Sequence, residues 1–314
     1  MPWLTRARPD EKGIVVVFMA AAVVVLVGMA ALVIDVGAIR DERRQLQNGA
    51  DAAALAVAQR CALAPCGALG IPTPASVALA TELAGANAQD GKSAVTVSFP
   101  SPNQVEVITN TDGGSGAILP YSFGQVLTGQ KGTTVRAKAT AAWGFAGQAR
   151  VVRLAISRCD VVRLGFNPAP QAITFQRSPA CTAGRDNAGG FGWLDRDSAS
   201  LCELTLSAGG TPSVDPGASE PSECLAPYMG KDVLLPVFDD VIGITGTGTN
   251  AKYTIEGFAR FHLTGYSFPG RISDPAPLVC ARSNCITGYF VRYVAPSQVV
   301  GGADFGVSSV KLVS

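Results

Sequence analysis

The chain has 314 residues, 47% of them hydrophobic and 16% charged, with 35 Gly and 20 Pro. This low-charge, turn-rich balance fits a Gly/Pro-punctuated, β-rich envelope protein better than a helical cytosolic one. A formal net charge of +1 excludes any general attraction to nucleic acid, and the one basic cluster is the Arg group beside the first apolar run.

Taken in chain order, the first element is "IVVVFMAAAVVVLVGMAALVI", Ile14 to Ile34. It carries no charge, and at about 1.5 Å per residue its length matches the roughly 30 Å hydrocarbon core. The expected element is a single transmembrane helix within residues 13–39. A cleaved signal peptide is the alternative, but its apolar core is shorter, about 7–15 residues, and ends at a small-residue cleavage site. Arg6, Arg8 and Lys12 precede the span and Arg40, Arg43 and Arg44 follow it, so flanking charge does not choose an orientation. The cysteines do. All eight, Cys61, Cys66, Cys159, Cys181, Cys202, Cys224, Cys280 and Cys285, follow the span. An even count beside a membrane segment points to disulfides in an oxidising compartment. The expectation is a cell-membrane protein with residues 1–12 cytoplasmic and the remainder outside.

No proline occurs between Glu11 and Ala64, so the helix is expected to run on past the membrane. Gly28, Gly37 and Gly49 weaken it slightly. Beyond the span, Leu46, Ala50, Ala53, Ala54, Val57 and Cys61 fall on one stripe, with Arg43, Gln47, Asp51 and Gln59 mostly elsewhere. One reading packs that stripe on the protein's own following domain. Another has small residues, Ala20 to Ala22 and Ala30 to Ala31 in the lipid half, contact other membrane helices. The two are compatible.

Farther along, "TPASVALATELAGANAQDGK" predicts a helix over Pro74–Ala88. "SAVTVSFP" and "NQVEVITN" alternate with period two around Pro and Asn, a hairpin signal, and "GTTVRAKATAAWGF" supplies a third strand. These make an α+β unit over residues 40–148. From about Arg150, "VVRLAI", "KDVLLPVFDDVIGI", "AKYTIEGFARFHLTGYSF" and "ITGYFVRYVA" read as strands, so residues 149–314 are expected to be β-rich and disulfide-containing. Cys61 with Cys66 and Cys280 with Cys285 are C-x4-C pairs able to close small loops. Cys159, Cys181, Cys202 and Cys224 are nearly evenly spaced without shared flanks, and their pairing stays open.

Candidate chemistry is sparse. "GITGTGTN" lacks both phosphate-loop patterns and reads as a flexible hairpin. Asp186, Asp195 and Asp197 offer oxygen ligands for calcium without EF-hand spacing, and Asp with Gly is ordinary turn chemistry. Phe191 and Trp193 read as core. His262, the single histidine, alternates with apolar residues as a strand histidine does, and no nucleophile beside it forms a triad. Zinc is disfavoured by the absence of a C-x-x-C pair. No enzyme activity and no cofactor are expected.

One resemblance is specific. Gly13, the apolar span, Asp35 with Gly37, and then Arg43, Leu46, Gln47, Ala50, Asp51, Ala52, Ala53, Ala54, Leu55, Ala56 and Ala58 resemble the N-terminal segment of TadG-like and TadE-like proteins of the tight-adherence (Flp) pilus system. The likeness extends more weakly to about residue 145. It implies a membrane-anchored assembly component whose partners are the membrane and other Tad/Flp assembly proteins or pilins. The helix-packing positions it implies are Gly13, Asp35, Gly37, Leu46, Gln47, Ala50, Asp51, Ala53 and Ala54. Long helix on short sheet also resembles pilin-like subunits, by analogy of fold. A surface-anchored adhesin or ligand-binding module is the alternative. TadE-like substrates carry Glu at the fifth position after processing, where this chain has Phe18, so the implied behaviour is retention of the N-terminus as an ordinary anchor.

Overall fold

The structure is a computed structural model describing residues 11–64, 66, 71–111, 118–176, 178, 181, 190–194, 202–215, 224–246, 250–268, 271–272, 284–296 and 299–313. The chain is of mixed α+β class, as the sequence pattern predicts. Asp186, Asp195, Asp197 and Cys280 lie outside the described residues.

Helix α1 (Glu11–Leu63) is one unbroken element of 53 residues, about 80 Å long at 1.5 Å per residue. It ends where Pro65 removes a backbone donor, and Arg60 in its last turn complements the helix dipole. Helix α2 (Pro74–Asn87) begins with Pro at its first position, and the Thr73 hydroxyl caps it by accepting the Ser76 N–H at 3.2 Å. That pairing of Thr and Pro is a strong start signal.

Strands β1 (Ala94–Ser101) and β2 (Gln104–Asn110) form the expected hairpin around Pro102 and Asn103. A small excursion follows: β3 (Leu119–Pro120), helix α3 (Gly124–Thr128) and β4 (Gly132–Thr133), with β3 paired to β4. Strand β5 (Arg136–Phe145) returns antiparallel to β2. Val97, Val105, Val107, Ala139 and Ala141 on this sheet close over Ala50, Ala53, Ala54, Val57 and Ala58 of α1 and Ala80 of α2. A core built almost wholly of Ala and Val lets helix and sheet approach closely, and the alternation of strand side chains supplies the matching face.

The remaining chain is β-rich. Its elements are β6 (Gln148–Val152), β7 (Leu154–Ser157), α4 (Arg158–Leu164), β8 (Gln171–Thr174), β9 (Phe191–Leu194), β10 (Glu203–Ser207), β11 (Val214–Asp215) and β12 (Asp232–Phe238). After them come β13 (Ile244–Thr245), β14 (Lys252–Tyr253), β15 (Ile255–Phe268), β16 (Arg271–Ile272), β17 (Cys285–Val291), β18 (Tyr293–Ala295) and β19 (Val307–Leu312). One large sheet runs in the order β11-β9-β7-β12-β15-β17-β8, with β16 on β15. Phe191, Trp193, Phe261, Phe268, Ile286 and Phe290 fill its core, so Phe191 and Trp193 are core residues as expected. "GITGTGTN" contributes β13, which pairs antiparallel with β14 in a hairpin.

Three disulfides are described: Cys61–Cys66, Cys159–Cys181 and Cys202–Cys224. The evenly spaced four therefore pair in sequence order. Cys285 is also disulfide-bonded.

The first sheet has more strands than the sequence predicts. Its order is β1-β2-β5-β19-β18, with β19 antiparallel to β5 and parallel to β18. The last part of the chain thus returns to the sheet beside α1, and the Ser308 hydroxyl donates to the Ala62 carbonyl at 3.2 Å. Helix α4 is likewise unforeseen: Ser157 caps it by accepting the Asp160 N–H, and it is too short to show periodicity.

Candidate membrane and assembly interface

Helix α1 divides into two halves with opposite surroundings. From Ile14 to Ile34 its large side chains are exposed, and the most apolar window is wholly uncovered by the rest of the chain. By length and composition this half is able to cross a membrane. A Cβ placed on Gly13, Gly28 or Gly37 would meet no atom within 4 Å, so none of these glycines is needed for packing within the chain.

The other half is covered. Leu46 is buried, and its carbonyl accepts the Thr109 hydroxyl at 2.9 Å. Ala50, Ala53 and Ala54 are fully buried against the sheet and α2. Gln47 donates to Asp51 at 2.9 Å and to the Lys138 carbonyl at 3.1 Å, tying the helix to β5. Gly49 faces Ala84 of α2 so closely that an added Cβ would lie 3.2 Å from the Ala84 Cα. The small-residue stripe therefore packs on the protein's own domain.

Asp35 marks the boundary between the halves. It is 6% exposed, and its carboxylate accepts the backbone N–H groups of Ser122 at 2.8 Å, of Phe123 at 3.3 Å and of Gly124. Charged acceptors make the stronger hydrogen bonds, and three successive amides match the lone pairs of one carboxylate. Gly124 is required there, since a Cβ would sit 2.8 Å from the Asp35 Oδ2. The resemblance singles out Asp35 and Gly37, but nothing in the sequence points to Ser122–Gly124 as the partner.

Residues 13–60 match the family described as "Putative Flp pilus-assembly TadE/G-like". The segment is TadE/G-like. The match covers the bare half of α1, Asp35 and the covered half as far as Arg60, and it supports a role in Flp pilus assembly. No curated protein and no solved structure matches the chain.

Beyond the TadE/G-like segment, a second cluster lies on the β-rich part. Arg150 pairs with Glu203 at 2.6 Å, and Glu203 also accepts the Tyr228 hydroxyl. Asp232 bridges Arg260 at 2.8 Å and His262 Nδ1 at 2.6 Å. His262 stacks on Tyr289 with centroids 4.8 Å apart, and the Arg260 guanidinium lies 4.0 Å over the Tyr293 ring. Arg150, Glu203, Tyr228, Asp232, Arg260 and Tyr293 line a cavity of about 230 Å³. Burial and the Glu203 carboxylate push the Tyr228 hydroxyl up to about 12. The Tyr228 hydrogen bond, with help from Arg150, lowers Glu203 below its ordinary value against the opposing effect of burial. His262 is thus the expected strand histidine, directly opposite Asp232 across β12 and β15. Its carboxylate partner was invisible without the strand register. Among the described residues no group of three or more His, Cys, Asp or Glu is disposed to hold a metal.

Proposed function

We propose that this protein is a single-pass, membrane-anchored, non-enzymatic component of Flp/tight-adherence pilus assembly. In this reading residues 1–12 are cytoplasmic and residues 13–39 cross the membrane. Residues 40–148, joined by strands β18 and β19, form a pilin-like unit on the helix, and the rest of 149–314 presents a disulfide-braced β surface outside the cytoplasm. The partners are other Tad/Flp assembly proteins or pilins, met through the membrane half of α1 and the outward faces of the folded region.

The observation that carries the reading is the unequal use of one helix. Its outer half is occupied by the chain's own sheet and α2, while its apolar half is bare. Small residues at Gly13, Ala20 to Ala22, Gly28 and Ala30 leave room there for another helix to come close. The disulfides support placing the folded region outside the cytoplasm. A photo-crosslinker at Ala21 in native membranes tests the reading: adducts to another Tad/Flp component are expected, and none when it replaces fully buried Ala53. Adducts to lipid alone at Ala21 overturn it.

A second reading is a surface-anchored adhesin or ligand-binding module. It is favoured by the cavity between Arg150, Tyr228, Arg260 and Tyr293, where charged and aromatic side chains converge. Retention of the full chain by immobilised glycans, abolished by Tyr293→Ala, would establish it.

A further inference from the structure

The excursion between β2 and β5 descends along α1 toward the membrane. Leu119 and Ile39 both pack against the cluster of Leu46, Val135 and Ala137, and the Tyr121 N–H donates to the Lys131 carbonyl. The tip beyond them then reaches Asp35 through Ser122, Phe123 and Gly124. Asp35 directly follows Ile34, the end of the apolar run. One turn deeper on the same face Ala31 is also buried. The tip therefore stands where the apolar run ends, and it presents two apolar side chains, Val126 at 90% exposed and Phe123 at 46%, beside the exposed polar Ser122, Gln125 and Thr128.

We propose that the segment 121–128 is a second membrane contact. Phe123 and Val126 enter the interfacial layer of the leaflet facing the folded region, while Asp35 ties the segment to the helix. The proposal rests on the anchor reading above. Three features commit the surface to lipid. The segment is fixed to the span itself, so insertion of the helix delivers it to the membrane surface. The Asp35 carboxylate, which would resist lipid if bare, has its charge satisfied by three backbone donors. Exposed Arg40, Arg43 and Arg44 lie on α1 beyond Asp35, on the side away from the span, with exposed Asp41 and half-buried Glu42 between them, and anionic headgroups meet the excess of positive charge. Apolar residues toward the span and cations behind them are the order of an interfacial contact. Held at two points, the helix is fixed in depth and in rotation about its axis.

The test uses the full chain in nanodiscs of phosphatidylcholine and phosphatidylglycerol, with an environment-sensitive fluorophore at Val126→Cys. Spin-labelled lipids are expected to quench it at least about twofold more than a fluorophore at Glu82→Cys, an exposed site on α2. A fluorophore at Val24→Cys reports the anchor separately. Quenching at Val24 with an iodide-accessible, lipid-insensitive fluorophore at Val126 overturns the proposal and leaves the anchor standing. A Val126 fluorophore shielded from both lipid and iodide assigns the surface to a protein partner and also overturns it. No lipid quenching at Val24 removes the anchor, and this proposal with it.

Discussion

The Asp35 carboxylate accepts the backbone N–H of Ser122 at 2.8 Å, across a sequence separation of 87 residues. With Phe123 and Gly124 bound to the same carboxylate, one side chain holds a whole excursion of the sheet. Hydrogen bonds to charged groups contribute about 1.5–3 kcal/mol. Asp35→Ala is therefore expected to raise amide exchange at Ser122, Phe123 and Gly124 by roughly tenfold or more, since about 1.4 kcal/mol is a factor of ten. Gly124→Ala, which would force a Cβ against Asp35 Oδ2, should do the same. Unchanged exchange in both variants would show that the carboxylate does not hold the segment.

Gly49 is the close crossing point of α1 and α2. Gly49→Val should push the helices apart at a cost of about 1–3 kcal/mol, the usual range for overpacking. Thermal unfolding followed by circular dichroism checks this. Gly37→Ala, in open space, should be neutral or slightly stabilising through helix propensity.

The disulfides should differ in weight. In the chain-entropy description a longer closed loop stabilises more. Removing Cys159–Cys181 or Cys202–Cys224, each with a separation of 22, should cost about 3 kcal/mol. Cys61–Cys66, with a separation of 5, should cost about 2 kcal/mol. Denaturant titration of the three double-Ser variants measures the order. Thiol titration of the unreduced protein should find these six cysteines unreactive.

Tyr228 and Glu203 set opposite pH limits on their corner of the β-rich part. Tyr228 is raised to about 12, so its contribution is present below the unfolded value near 10 and is lost as pH rises from there to about 12. Glu203 is lowered, so its contribution is present above the unfolded carboxylate value and is lost as pH falls through the lower folded one. Tyr228→Phe should flatten the alkaline loss, measured by chemical unfolding at stepped pH. Tyrosinate absorbance should lose one late-titrating group in the variant, while Tyr253, which burial also raises, stays.

Phe18 in place of the glutamate of TadE-like substrates leads to the expectation that this chain is not trimmed after Gly13. Intact-mass analysis of protein from native membranes should recover a peptide spanning Lys12 and Gly13 into the anchor. A chain beginning at Ile14 would reverse the assignment from anchor to processed subunit.

Local chemistry made some of this legible in the sequence. The reach of α1 follows from a proline-free stretch closed by Pro65, the β1–β2 hairpin from strict alternation, and the buried stripe of Ala50, Ala53, Ala54 and Val57 from helical spacing. Partners supplied by distant chain were not legible. The donors to Asp35 are backbone amides, which any sequence possesses. Asp232 meets His262 only through the register of β12 and β15. The pairing of β18 with β19 is parallel and leaves no hairpin signal. Helix α4, seven residues long, has too few turns for a period to appear.

The return of β19 to the sheet beside α1 sets an order of events during biogenesis. The sheet that clasps the helix gains its penultimate strand only from Val307–Leu312, and the Ser308 to Ala62 contact closes a sequence separation of 246. Contacts of such long range form late and slowly. As the chain emerges, its long apolar helix is made first, yet the sheet packed on that helix is the last to be completed. Until then the β5 edge stands open, exposing the unpaired backbone on which strands of other chains can add.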